Sequence, residues 1–228
     1  MEHAAEHAVG RPAAPAGGDA VDYPAALAVE DFVPVLLTTA GVLLLARRAG
    51  PAAAARRIVA AAALIGAGGL GKAVWKLVMA LDGPDLPWLE ALLFPLLTLG
   101  FGLLAWTLAA PDGPAPRWVA VLVPGLTLAC ALGAVLSGRT IPMLVSASVF
   151  ATVCGVHLIA AARRQGDPLA AGLFGVQLLG FFVLGPLAAR PDQTVALQWA
   201  EQLCNTAAQA AFAVAAFRLG RMRSEVPR

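Results

Sequence analysis

Charged residues are scarce: they make up 13% of the 228 residues, against about 25% in a soluble globular domain. With 59% of positions hydrophobic, the chain would be hard to keep in water, so membrane placement is the first expectation. Cysteine is equally sparse. Cys130, Cys154 and Cys204 each fall inside an apolar stretch, which excludes a secreted disulfide framework and a CxxC redox motif. Beyond the first seven positions the one histidine is His157, which excludes bis-histidine haem and argues against a multi-histidine zinc hydrolase.

Catalytic motifs are missing too. No P-loop, dinucleotide fingerprint or G-x-S-x-G surrounds a candidate nucleophile; Ser137, Ser146 and Ser148 lack a suitable partner, and Cys154 with His157 at i,i+3 lacks a carboxylate. The last apolar run carries no lysine for a retinal Schiff base. No cofactor or metal is expected. His3 and His7 with Glu2 and Glu6 share i,i+4 spacing, but on an Ala, Gly and Pro-rich segment that offers no preformed site.

What is present is a series of apolar runs separated by breakers: 27–46, 58–81, 87–109, 118–136, 141–162, 169–188 and 195–219. Arg47-Arg48, Asp82-Gly83-Pro84, Pro111-Asp112-Gly113-Pro114 and Arg163-Arg164 punctuate them. Seven spans of about 20 residues leave little room for a separate soluble domain. Residues 1–26 read as a disordered non-cytoplasmic tail without the features of a removable signal peptide, 27–219 as the transmembrane domain, and 220–228 as a basic cytoplasmic tail.

The basic residues sort by topology. The segments after runs one, three, five and seven hold eleven arginines, whereas the other side holds Arg11, Arg139 and Arg190. Positive charge is retained in the cytoplasm, which predicts an N-out, C-in protein of a bacterial inner membrane and makes a nucleic-acid partner an unnecessary explanation. The fold class expected is therefore all-α, a polytopic bundle of seven transmembrane helices.

Functional leads lie where polarity is expensive, since a charge near the bilayer centre costs at least about 2.5 kcal/mol on insertion scales. Lys72 sits only about 4 Å from the middle of the second run, with Lys76 one turn farther out on the same face. Glu30 and Asp31, Glu90, and Glu201 with Gln202 occupy the outer halves of runs one, three and seven. Asp31 and Glu30 also suit a helix first turn, where acids are favoured. Gln177, Asn205 and Thr206 lie near the middle of runs six and seven, and Gln202, Asn205 and Gln209 form a stripe at helical spacing.

The expected site is a charged cluster facing the bundle interior: Lys72 and Lys76 compensated by Glu30, Glu90 or Glu201, with Gln177 and Asn205 below. Interhelical glue made of the same residues is the bland alternative, at about 0.6 kcal/mol per hydrogen bond. His157 is expected to serve packing.

Small residues crowd the second run, with Ala63, Ala67 and Gly71 at four-residue intervals and Gly66, Gly68 and Gly69 beside them. Such a face suits an internal contact, a second copy of the chain or a membrane-protein partner. Pro34, Pro95 and Pro124 are expected to kink or open their helices, while Pro142 and Pro186 lie near helix ends. A W-x-E at Trp88–Glu90 returns at Trp199–Glu201, 111 residues later, and Phe101 and Phe212 keep the same offset. This suggests a 3+1+3 parallel pseudo-repeat, an arrangement that also occurs among parallel-repeat sugar carriers.

The functional expectation is a membrane receptor or carrier for a small polar or amphipathic ligand arriving from the non-cytoplasmic side, with membrane lipids around it. The alternatives are a structural or regulatory subunit of a membrane complex and an intramembrane lipid-modifying enzyme.

Overall fold

The computed structural model describes residues 25–110, 113–188 and 194–221, without the side chains of 185–188. The expected N-terminal tail, with His3 and His7, lies almost wholly outside the described residues, as do Arg190, Arg223 and Arg228.

Every described element is a helix. In chain order they are α1 (Ala25–Glu30), α2 (Phe32–Ala46), α3 (Ala52–Ala80), α4 (Pro87–Ala91), α5 (Leu93–Ala109), α6 (Arg117–Ser137), α7 (Ile141–Arg164), α8 (Pro168–Ala188) and α9 (Val195–Arg221). Five segments are long and apolar enough to cross a membrane: Ala25–Ala46, Ala52–Ala80, Pro87–Ala109, Arg117–Ser137 and Ile141–Arg164. The protein is thus an all-α, multi-span integral membrane protein. The stretch Pro168–Leu184 of α8 is apolar but shorter, and α9 is diluted by Glu201, Arg218 and Arg221.

Proline explains both interrupted spans. Its ring clashes with the carbonyl of residue i−4 and it donates no hydrogen bond there. For Pro34 that carbonyl belongs to Glu30, the last residue of α1; for Pro95 it belongs to Ala91, the last residue of α4. Each span therefore breaks for one residue, at Asp31 and at Leu92. α6 carries Pro124 without such an interruption. The helix expected from residue 58 starts at Ala52, because the alanine run behind Pro51 consists of the strongest helix former.

The helices pack as a closed ring in the order α2, α3, α5, α7, α8, α9 and back to α2, while α6 lies outside it against α5 and α7. α6 is correspondingly bare: Val121, Leu128, Val135 and Leu136 are all exposed. Small residues let the ring close, as expected where lipid is as apolar as the helices themselves. A Cβ on Gly69 would come 2.8 Å from Val35 in α2, and one on Gly100 would come 2.6 Å from Ile65 in α3. Gly68 and Gly71 face α5 and α4. These glycines of α3 thus form an internal packing face, while Ala63 and Ala67 remain exposed.

The dry core fills the half of the ring nearer the arginine-bearing ends. It includes Val42, Leu45, Ile58, Leu104, Leu158, Phe174 and Leu219. At that end Gly166, left-handed at φ 73°, lets α7 close and the chain turn into α8. Asp167 then caps α8 by accepting the Ala170 N–H at 2.9 Å, with Pro168 in the first helical position.

Candidate functional site

The opposite half of the ring is not filled. A cavity of about 370 Å³ lies there, lined by residues from all six ring helices and by none from α6. Its walls run from Lys76 to Ile65 along α3, which at 1.5 Å per residue is about 16 Å of helix axis.

The polarity changes along that depth. Asp31, Lys76, Lys72 and Gln202 line one end, Thr38, Gln177, Asn205 and Gln209 the middle, and Phe101, Leu104, Ile65, Leu158 and Phe212 the other end. Asp31, helical in its backbone and without a side-chain cap hydrogen bond, turns its carboxylate inward, where Lys76 Nζ lies 2.6 Å from Asp31 Oδ2. Both side chains are largely shielded, at 20% and 13% exposure.

Lys72 differs from Lys76. Among the described residues it has no hydrogen bond and no carboxylate within ion-pairing distance, although Asp31 and Glu90 attract it electrostatically from farther away. Gln202, one of the other polar groups at this end, has a buried Nε2 without a hydrogen-bond partner among the described residues.

A polar seam joins α2 to α9 beside the cavity. Thr38 Oγ1 contacts the Pro34 carbonyl at 2.7 Å and Gln209 Oε1 at 2.9 Å, and Gln209 Nε2 donates to Asn205 Oδ1 at 3.4 Å. Farther along, the Thr206 hydroxyl donates to Glu30 Oε1 at 2.5 Å.

Of the seven residues expected from sequence, the ring brings Lys72, Lys76, Gln177 and Asn205 onto the cavity wall. Glu30, Glu90 and Glu201 are not among its lining residues. Glu30 instead meets Thr206, and the counter-charge of Lys76 is Asp31. Thr38 and the aromatic floor of Phe101 and Phe212 were not anticipated as lining groups. The Pro34 and Thr38 pair, four residues apart, is the one local signal for Thr38, because a threonine hydroxyl readily bonds the carbonyl one turn back.

The remaining candidate nucleophiles are occupied by packing. Ser146 and Thr98, both fully buried, lie 2.9 Å apart with the Met143 carbonyl within hydrogen-bond reach of both, so their two hydroxyl protons are shared among three contacts. Cys154 Sγ lies 3.5 Å from the Phe101 carbonyl. His157 stacks parallel to Trp118, with centroids 6.2 Å apart and planes inclined by 3°. Among the described residues no group of three His, Cys, Asp or Glu side chains comes together to hold a metal ion.

A cavity of this size has room for about a dozen water molecules at roughly 30 Å³ each, within the usual range for small-ligand sites. Its arrangement can neutralise charge at one end, accept and donate hydrogen bonds in the middle, and cover apolar surface at the other. Comparison with family models, with curated proteins and with solved structures finds no match.

Proposed function

We propose that the protein is a membrane receptor or carrier that admits a small polar or amphipathic ligand into the ring from the non-cytoplasmic side. The observation that carries this reading is the 370 Å³ cavity at the centre of the ring, with Lys72, Lys76, Gln177 and Asn205 on its wall. These four bind the ligand, and Glu30, Glu90 and Glu201 supply the surrounding negative field.

In this reading all seven helical spans cross the membrane, α8 and α9 included, because a ring with a polar interior shelters Glu201 and Gln202 from lipid. The arginine distribution supports N-out, C-in insertion in a bacterial inner membrane, with Arg47, Arg48, Arg163, Arg164, Arg218 and Arg221 at the cytoplasmic end. The cavity then opens toward the outside.

A 3+1+3 pseudo-repeat fits this arrangement. Exchanging the first three spans with the last three maps the neighbours in the ring onto one another, with α6 as the outlying linker. Phe101 and Phe212, equivalent at the 111-residue offset, both reach the cavity floor. Contact with a second copy or a membrane partner through α3 is left to Ala63 and Ala67.

The second reading is a structural or regulatory subunit. The Thr38–Gln209–Asn205 and Thr206–Glu30 contacts favour it, because such bonds hold bundles together without a ligand.

Cysteine accessibility separates the two. In a chain with Cys130, Cys154 and Cys204 replaced, Asn205→Cys and Gln177→Cys should react with a membrane-impermeant methanethiosulfonate applied to the outer face of intact cells. Protection of both positions, with labelling at an exposed control on the same side, would reject the open cavity and favour the structural subunit.

A further inference from the structure

We infer that the ligand is a small amphipathic monoanion, its anionic head held by Lys72 and its apolar part lying over Phe101 and Phe212. This rests on the cavity being a ligand site, and it is the distribution of charge and polarity along the walls that narrows the ligand to one chemical class.

The charged groups on the wall are Asp31, Lys72 and Lys76. Asp31 and Lys76 pair at 2.6 Å, which leaves Lys72 as the charged group on the wall with no carboxylate of the described residues in ion-pairing contact. An ammonium group lodged between packed helices is unfavourable without a counter-charge. Glu90 is not on the wall and forms no ion pair with it. A single negative charge delivered by a ligand supplies the contact that Lys72 lacks; the carboxylates of Glu30, Glu90 and Glu201 around the wall disfavour a dianion, and a cation would meet Lys72 with like charge.

The hydrogen-bonding inventory points the same way. Gln202 Nε2 is a buried donor without an acceptor on the same end of the cavity as Lys72. A carboxylate or similar oxyanion accepts from several donors at once, so one group is able to satisfy both residues. Gln209 bonds both Asn205 and Thr38, so the donor on the wall that lacks an acceptor among the described residues is Gln202 Nε2.

The far end excludes a compact inorganic anion as the full occupant. Phe101, Phe212, Leu104 and Ile65 offer nothing for a fully hydrated ion to bond, whereas an alkyl or aryl tail gains contact there. The length of the lined wall, about 16 Å from Lys76 to Ile65, accommodates a head and a tail in line. Head toward Lys72 and tail toward Phe212 is the one orientation that matches both ends.

The test uses the full chain in lipid nanodiscs, titrated calorimetrically with octanoate, octylammonium, octanol and acetate, with empty nanodiscs subtracted. Octanoate is expected to bind saturably, with octylammonium, octanol and acetate each weaker by about tenfold or more. Lys72→Met should weaken octanoate by about the same factor, and Lys72→Arg should restore part of the loss. Octylammonium or octanol binding as tightly as octanoate, or acetate matching it, would overturn the anionic amphiphile while leaving the cavity as a ligand site. If Lys72→Met does not fold, the selectivity series on the unaltered chain still decides the matter. Absence of saturable binding by all four probes, together with protection of Asn205→Cys from the impermeant reagent, would overturn both the ligand class and the proposed function.

Discussion

Lys76 Nζ lies 2.6 Å from Asp31 Oδ2, a contact between α3 and the junction of α1 with α2. Lys72, one turn along the same helix, has no equivalent partner among the described residues. Two lysines that look interchangeable in sequence therefore have opposite energetic roles. One is half of a shielded ion pair, and the other is a charge waiting for a counter-ion.

Removing either half of the pair should destabilise the fold, because it breaks a shielded ion pair. Asp31→Asn and Lys76→Met are each expected to cost about 3 kcal/mol, the lower end for buried pairs given the residual exposure of both groups. The double variant should cost less than the sum of the two, since both members of the pair are then neutral. Lys72→Met should be close to neutral or stabilising in the absence of ligand. Unfolding free energies in mixed micelles check the four variants; additive losses in the double variant would mean that the two residues are not coupled.

At the other end of the ring, Asp167 joins the start of α8 to the last turn of α9. It accepts from Ala170 N–H at 2.9 Å and from Arg218 Nε and Nη2 at 3.0 and 3.1 Å. The Ala170 hydrogen bond, then those from Arg218, hold its carboxyl below the usual carboxylate range. A depressed folded value means that stability from this group is present above the unfolded value of about 3.9 and is lost as pH falls through the folded one. Thermal unfolding of the wild type should therefore shift downward on acidification below about pH 4, and Asp167→Asn should lack that component. At pH 7 the substitution is expected to cost about 2 kcal/mol, since the carboxylate is buried but Arg218 is 42% exposed.

Positions along each helix axis were legible in the sequence, whereas positions around it were not. Apolar runs and their breakers locate all seven helical segments to within a few residues, with the alanine-rich start of α3 as the largest difference. Axial position followed in part: Gln177 and Asn205 lie near mid-helix, Lys72 lies about 9 Å from the middle of the longer α3, and all three line one cavity. The breaks at Asp31 and Leu92 follow locally from Pro34 and Pro95, but which face of each helix looks inward depends on the ring order, which is a tertiary fact. Glu30 and Asp31 are adjacent, so about 100° of rotation separates them; one meets Thr206 and the other Lys76. The sequence offers no local means of choosing between them, and the same limit applies to Glu90 and Glu201.

The buried Thr98 and Ser146 pair ties α5 to α7. Because their two hydroxyl protons are shared between each other and the Met143 carbonyl, Thr98→Val and Ser146→Ala are each expected to cost about 0.6 to 1.5 kcal/mol. The double variant should cost less than the sum, since the mutual bond is counted in both. A double-mutant cycle measured by denaturant titration would reject this coupling if the losses were strictly additive.

Two glycines should respond to alanine with opposite signs. At Gly100 a Cβ would lie 2.6 Å from Ile65 Cγ1 and 3.1 Å from both the Ala61 carbonyl oxygen and the Ile65 nitrogen. A rotamer change can displace the Ile65 side chain, but the α3 backbone can yield only if the helices separate, so Gly100→Ala is expected to cost about 1 to 3 kcal/mol. At Gly172 nothing lies within 4 Å of the added methyl, and replacing glycine within a helix removes backbone freedom from the unfolded chain. Gly172→Ala should therefore be neutral or gain up to about 1 kcal/mol. Resistance to unfolding in mixed micelles distinguishes the two: equal effects at both sites would mean that the α3 and α5 backbones are not in the close contact on which closure of the ring depends.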